Sequence, residues 1–446
     1  MDFQEKLQHA MSLHQGANDK IDVLRHIDPF FIDLSLRENP VGARVGQTLD
    51  DKLAILPLVQ GFGFRNILLG TLDYSMADEL EVDDDFMMNL RDRGVDMTGC
   101  YVFTAIGIQD AQGNFTPDPS MLKMQSYKVP NSLHEIYLSD EGMHGQYDIE
   151  TLKRSVVASV NWMMNNIQGE NGGPPKLFIN IVDGCDAFAE NPQRTCEVLQ
   201  LLSTLPIVGI SIEDDRGTYL PFQVGAFIAM ARTFMPQPLQ ILVHMHAGGG
   251  FENASVLEAL LNGADGVWGG LPKRAAIIGH ASLGELIANL VRLGNQNMGN
   301  RYQLNQLLPL ARRLQIMDEK QEVPDDLPIL GYNAYRLTLS FFEQIHERFM
   351  DLPPDRIGGE YGFRICPVVS DPPVIAGRLA EVTGRSPQEF PKPLTQNMIR
   401  LMRRDQRAGI RIAYDEPDNL IELYERALRM PLPPGSQAPG GQLMGG

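Results

Sequence analysis

Cysteine is scarce in this chain. Only Cys100, Cys185, Cys196 and Cys366 occur among 446 residues, far apart and without a CxxC pair, which suggests neither a disulfide framework nor a cysteine-based zinc site. Long apolar runs are missing too. No segment reaches 18 consecutive apolar residues, so no membrane span is expected. The first residues, Met1 to Met11, are polar and of mixed charge, which argues against a signal peptide. A soluble, cytoplasmic protein is the expectation. Positive charge is in deficit as well, with 38 Lys and Arg against 56 Asp and Glu and a net charge of −18. Such a balance argues against nucleic acid or an anionic membrane as the main partner. Ordinary solubility accounts for most of it.

What the chain does have is 43% apolar residues, arranged in a repeating unit. A short β-branched or apolar run is followed by polar turn residues and then by a stretch of helical period. Eight strands are expected, over residues 30–38, 65–71, 97–106, 134–140, 176–185, 206–215, 239–247 and 264–271. Helices are expected between them at 49–60, 149–167, 221–233 and 254–261, with a last one at 282–293. Eight parallel strands alternating with helices close into a barrel, the TIM (β/α)₈ barrel of the α/β class. After Gly294 the alternation stops and 295–300 reads as a break. Helical patterns follow at 302–316, 334–349, 373–383, 394–408 and 419–430. The expected organisation is therefore a barrel over 1–294 with an N-terminal helical extension, a mostly helical C-terminal region over 295–430, and a disordered tail rich in Pro and Gly over 431–446.

Barrel enzymes place their chemistry at the C-terminal ends of the strands. Polar residues at those ends are Arg37 and Glu38, Ser139 and Asp140, Asp183, Glu213 with Asp214 and Asp215, and His244 with His246. Arg37, Asp183 and Glu213 are the candidate catalytic groups, and Ser139, Asp215 and Arg216 the candidate substrate-binding groups. Each is equally readable as a solvated loop residue, but together they converge on one mouth. The strongest local signal is His244-Met245-His246, because a strand's period of two turns both imidazoles to one side. Gly248, Gly249 and Gly250 follow, permitting a tight turn and the close approach of a ligand. Glu38 is the candidate carboxylate ligand beside the two histidines, with His280 a fourth donor. Such a set suits Mn²⁺, Zn²⁺, Fe²⁺ or Co²⁺ better than Mg²⁺. The bland alternatives are Glu38 as a partner of Arg37 and His280 as a helix-start residue.

The segment Asp33-Leu34-Ser35-Leu36-Arg37-Glu38 resembles the DTTLRD opening of the metal-dependent superfamily, also called DRE-TIM, that contains α-isopropylmalate synthase, homocitrate synthase and HMG-CoA lyase. The resemblance continues in chain order over roughly residues 28 to 390. Ser139-Asp140 is similar to the SD of the fourth strand, and Asp214 through Gly217 to Pro221 matches DTxGxxxP in spacing. His244-Met245-His246 resembles the HxH, and Gly279-His280-Ala281 falls where the family has Gly-Asn-Ala. Pro328-Ile329-Leu330-Gly331-Tyr332-Asn333-Ala334-Tyr335 is similar to the PIVGxNAF of the condensing enzymes. The resemblance implies a divalent metal held by Glu38, His244 and His246, with His280 in place of an asparagine. It also implies an Arg37 that steadies a carbonyl or enolate oxygen, a chemistry that agrees with the charge stabilisation such groups provide.

The departures are substantial. Glu38 replaces an aspartate, Asn39-Pro40-Val41 replaces GEQ, and Asp215 stands where a threonine receives a 2-oxo acid carboxylate. Arg336 to Phe341 lack the histidines of HxSGIH. Two enzymatic readings follow. The first is a Claisen-type condensation of an acyl-CoA co-substrate with a carbonyl acceptor, favoured by the segment ending in Asn333-Ala334-Tyr335. The alternative is a metal-dependent aldolase or lyase that cleaves a carbon–carbon bond next to a carbonyl, favoured by the lost histidines. A carboxyl-transfer role is disfavoured because the fifth strand has no lysine near its end. A non-catalytic barrel used for binding is the lesser reading, since unpaired buried charges are costly without a role. The expected partner is a small carbonyl compound, and the expected assembly a homodimer.

Overall fold

The computed structural model describes residues 2–37, 41–72, 80–144, 147–272, 278–341 and 352–431. The chain divides into two compact units, Met1–Val323 and Pro324–Gly446. The first is a closed barrel of eight parallel strands: β1 (Phe30–Asp33), β2 (Ile67–Thr71), β3 (Cys100–Ala105), β4 (Asn131–Ile136), β5 (Lys176–Ile181), β6 (Gly209–Asp214), β7 (Gln240–Met245) and β8 (Gly266–Gly269). Each pairs with its neighbour in sequence, and β1 closes the ring by pairing with both β8 and β2. Alternate residues turn inward. Ile32, Leu34, Leu68, Tyr101, Phe103, Leu133, Phe178, Leu242 and Trp268 fill the interior as one apolar cluster, which makes the barrel a packed core with its chemistry confined to the rim.

The helices begin where side chains can replace the missing backbone acceptors of a first turn. Thr48 and Asp51 form a reciprocal cap on Leu49–Phe62, Asp148 caps Ile149–Asn166, and Ser282 caps Leu283–Arg292. The N-terminal helix Phe3–His26 buries only Leu24 and is tied down at its end, where Arg25 Nε donates to the Leu293 carbonyl at 2.8 Å. Among the described residues no helix is long and apolar enough to cross a membrane.

Several sequence-based boundaries move. The first strand ends at Asp33, well short of residue 38, because the chain turns over Ser35–Arg37, with Arg37 N donating to Leu34 O at 2.9 Å. The fourth strand starts at Asn131, and Asp140 opens a short helical turn, Asp140–Met143, capped by Ser139. The expected break at 295–300 is instead a helix, Gln296–Arg301, because Asn295 caps it by accepting from Met298 N. Of the helix expected over 334–349, residues 332–335 form a 3₁₀ turn and Arg336–Leu337 a short strand, and residues 342–349 lie outside the described residues. The expected tail lies outside them beyond residue 431.

Within the second unit, Pro372–Thr383, Lys392–Arg407 and Pro417–Leu428 pack around Val374, Ile375, Leu379, Met398, Met402, Leu420 and Leu423. Asp405, buried among them, accepts from Tyr414 Oη at 2.5 Å and from Arg426 at 2.7 Å. This is the mostly helical region expected from the sequence.

Candidate metal centre

Adjacent strands β6 and β7 bring three donors together. Their register sets Glu213 opposite His244, and His246 lies just past the end of β7. The ligand atoms of Glu213, His244 and His246 all lie within 4.8 Å of one another, and the three residues are buried. His246 Nε2 is 3.1 Å from Glu213 Oε1, while Asn180 Nδ2 donates to Glu213 Oε2 at 3.0 Å. The His244 and His246 rings are 4.7 Å apart, edge to face at 87°.

His244 is oriented from behind. Its ring stacks on Trp268 with centroids 3.7 Å apart, and its Nδ1 lies 2.9 Å from the Trp268 carbonyl. A carbonyl only accepts, so Nδ1 carries the proton and Nε2 presents a lone pair. That Nε2 is buried and has no hydrogen-bond partner. Burial first, then the positive character of His246 and His280, holds the imidazole well below its usual range, and the Arg37 charge adds to this. A neutral imidazole with a fixed tautomer and a buried lone pair is the form that binds a metal. The donor chemistry therefore fits a divalent cation of the Mn²⁺ to Zn²⁺ series.

Loops from three strands are stitched beneath this cluster. His246 N donates to Asp214 O at 3.0 Å, Ala247 N to Gly279 O at 2.8 Å, and Ala281 N to Met245 O at 2.9 Å. The Asp214 carboxylate is taken up by backbone donors, Gly217 N at 2.8 Å and Tyr219 N at 3.0 Å. Gly248 sits where a Cβ would lie 1.9 Å from the Arg216 carbonyl. Gly248 and Gly249 thus make room for the neighbouring Arg216–Gly217 loop, while Gly250 adopts a positive φ beside open space.

The other sequence-derived candidates fall around this centre in different ways. His280 is fully buried, with its ring 5.3 Å from that of His244, and its backbone bridges to His246. Arg37 Nε donates to Thr71 Oγ1, and its guanidinium lies 4.8 Å over the Phe103 ring. Asp183 accepts from Leu138 N and Ser139 N, both at 2.8 Å, which pins the end of β4 to that of β5. Ser139 Oγ accepts from Gly142 N at 2.9 Å. Arg216 pairs with Asp186, which also accepts from Tyr219 Oη at 2.7 Å. Asp215 is half-buried, and burial together with the Asp186 charge raises its pKa. Glu38 lies outside the described residues.

Sequence reasoning passed over Asn180, Trp268, Thr71 and Glu135. Glu135 is in register with Asn180 and two residues on from Leu133 of the barrel interior, so alternation puts it on the inner face. That period-two spacing was the signal available for finding it.

No protein-family profile matches the chain, and no curated protein sequence does. Among solved structures, the chain is similar to the HMG-CoA lyase of Bacillus subtilis. The TM-score is 0.52 at 14% identity, covering 67% of this chain and 96% of the lyase. It is also similar to hydroxymethylglutaryl-CoA lyase from Pseudomonas aeruginosa, at a TM-score of 0.51 and 12% identity, covering 66% of this chain and 93% of that one. At such identities the likeness is one of fold, and the fold this chain shares with those lyases is the closed (β/α)₈ barrel.

Proposed function

We propose that the chain is a divergent member of the metal-dependent superfamily that includes HMG-CoA lyase and α-isopropylmalate synthase, and that it cleaves a carbon–carbon bond next to a carbonyl. The observation that carries this reading is the buried, unpartnered Nε2 of His244, facing Glu213 and His246 at the barrel mouth. In this reading those three residues hold the cation, with His280 beside them. A divalent ion there supplies Lewis-acid polarisation of the substrate carbonyl. In this reading Arg37 is the catalytic guanidinium, whose charge helps to hold His244 neutral and which is suited to stabilise negative charge growing on a substrate oxygen. Asn180 and the Trp268 carbonyl orient Glu213 and His244, the supporting role that determines ligand geometry at metal sites. Asp215, with Asp186 beside it, disfavours a substrate carboxylate at that point.

Cleavage is favoured over condensation by two features. Two solved structures similar to the barrel are HMG-CoA lyases, and the histidines of the condensing enzymes' HxSGIH are absent from Arg336 to Phe341. The deciding experiment is metal analysis of the purified protein, followed by two assays on the metal-loaded form. Release of a carbonyl product from a panel of 3-hydroxyacyl-CoA esters and 2-alkylmalates is the expected result. Thiol release from acetyl-CoA with a 2-oxo acid or aldehyde would select condensation instead. A protein that binds metal and performs neither would favour the binding barrel.

A further inference from the structure

Arg37 lies at the end of a buried chain of contacts reaching to the outside of the barrel wall. Lys52, on the helix Leu49–Phe62, has a side chain only 3% exposed. A buried ammonium is costly unless it is paired and hydrogen-bonded, and Lys52 is both. Its Nζ lies 2.7 Å from Asp83 Oδ1 and donates to the carbonyl of Leu36, the peptide that leads into Arg37. The other oxygen of Asp83 accepts from Thr71 N at 2.9 Å, and the Thr71 hydroxyl receives Arg37 Nε. One carboxylate therefore links two routes to the same guanidinium, one through the backbone before Arg37 and one through the acceptor of its Nε. The preceding residue is Gly70, where a Cβ would lie 2.2 Å from Asp83 Oδ2. The end of β2 is thus shaped to admit this carboxylate.

We propose that Lys52, Asp83 and Thr71 form a positioning chain that fixes the Arg37 guanidinium at the barrel mouth. The proposal rests on the reading of Arg37 as catalytic only for its consequence in turnover; the positioning itself concerns this chain's own contacts. An arginine side chain is long and rotamer-rich, and its value to an oxyanion depends on arriving already oriented. Thr71 is suited to the task because a β-branched side chain is stiff at χ1, so fixing its backbone through Asp83 also fixes its hydroxyl.

The test follows the Arg37 Nε–H signal by ¹⁵N NMR in the full-length metal-free protein, assigned by its disappearance in Arg37→Lys, alongside metal content and turnover of the loaded enzyme. Thr71→Val is expected to broaden or shift that signal and to raise its solvent exchange at least tenfold. Thr71→Ser is expected to restore it. Asp83→Asn is expected to act like Thr71→Val. In turnover, kcat falls at least tenfold in Thr71→Val with KM nearly unchanged and metal content intact, the pattern of an interaction made in the transition state. An Arg37 signal as sharp and protected in Thr71→Val and Asp83→Asn as in the wild type overturns the proposal. A loosened signal with wild-type turnover supports the positioning chain and removes Arg37 from catalysis. Should Asp83→Asn fail to fold, the Thr71 pair alone decides, since neither substitution leaves a buried charge unpaired.

Discussion

His134 on β4 and His244 on β7 are both fully buried, and each has an Nε2 without a hydrogen-bond partner. Their surroundings differ. His134 faces outward from the barrel, where Thr104 Oγ1 lies 2.6 Å from its Nδ1 and 2.6 Å from Ser132 Oγ. Burial alone drives its imidazole down to about 3. His244 faces inward at the strand ends, where Glu213, His246, His280 and the Arg37 charge converge on it. Burial makes both histidines neutral; only the second has other donors aimed at the same point. A depressed histidine becomes a candidate ligand through convergence, and one without it is part of the wall.

The sharpest way to break this comparison is to remove each ring and measure metal. His244→Ala should lose stoichiometric Zn²⁺ or Mn²⁺ by elemental analysis, while His134→Asn retains a full equivalent. Retention by His244→Ala would move the site elsewhere. Removing Asn180, which donates to the Glu213 carboxylate, should be milder: Asn180→Ala is expected to weaken metal affinity by about tenfold to a hundredfold, measured by titration calorimetry, and unchanged affinity would exclude an orienting role.

Next in size is Arg37→Lys, which keeps the charge and loses the planar fork. Turnover should fall by about a hundredfold with folding and metal content near normal. Wild-type turnover would make Arg37 structural.

The wall histidine has its own signature in pH. Its folded pKa of about 3 lies below the unfolded value near 6.5, so the unfolded chain binds the extra proton. Stability contributed by neutral His134 is present above about pH 6.5 and lost progressively as pH falls toward 3. His134→Asn, which keeps an acceptor for Thr104, should flatten that part of the urea-denaturation profile by up to a few kcal/mol. Parallel wild-type and variant profiles would contradict the buried, neutral assignment. The smallest expected effect is at Asp215, half-buried and raised by burial and by Asp186: Asp215→Asn should improve kcat/KM for 2-oxo carboxylate substrates by several-fold, and no gain would clear Asp215 of that discrimination.

The sequence by itself determined the barrel. Eight apolar runs separated by helical periods admit few other architectures, and an HxH at a strand end points both rings one way through local geometry alone. The helical region after the barrel was legible for the same reason, in 3.6-residue periodicity. What it could not determine was which residues meet those rings. Glu213 stands 31 residues before His244, and only parallel pairing of β6 with β7 sets them side by side. Asn180 and Trp268 come to the site from β5 and β8 in the same way. The turn over Ser35–Arg37 escaped the sequence reading because Leu34-Ser35-Leu36-Arg37 keeps the apolar and polar alternation of a strand without Gly or Pro, and the Arg37 N to Leu34 O bond that makes the turn is visible only in the structure. Local pattern sets the period of each element, whereas register and closure, which are long-range, decide which side chains share a point in space.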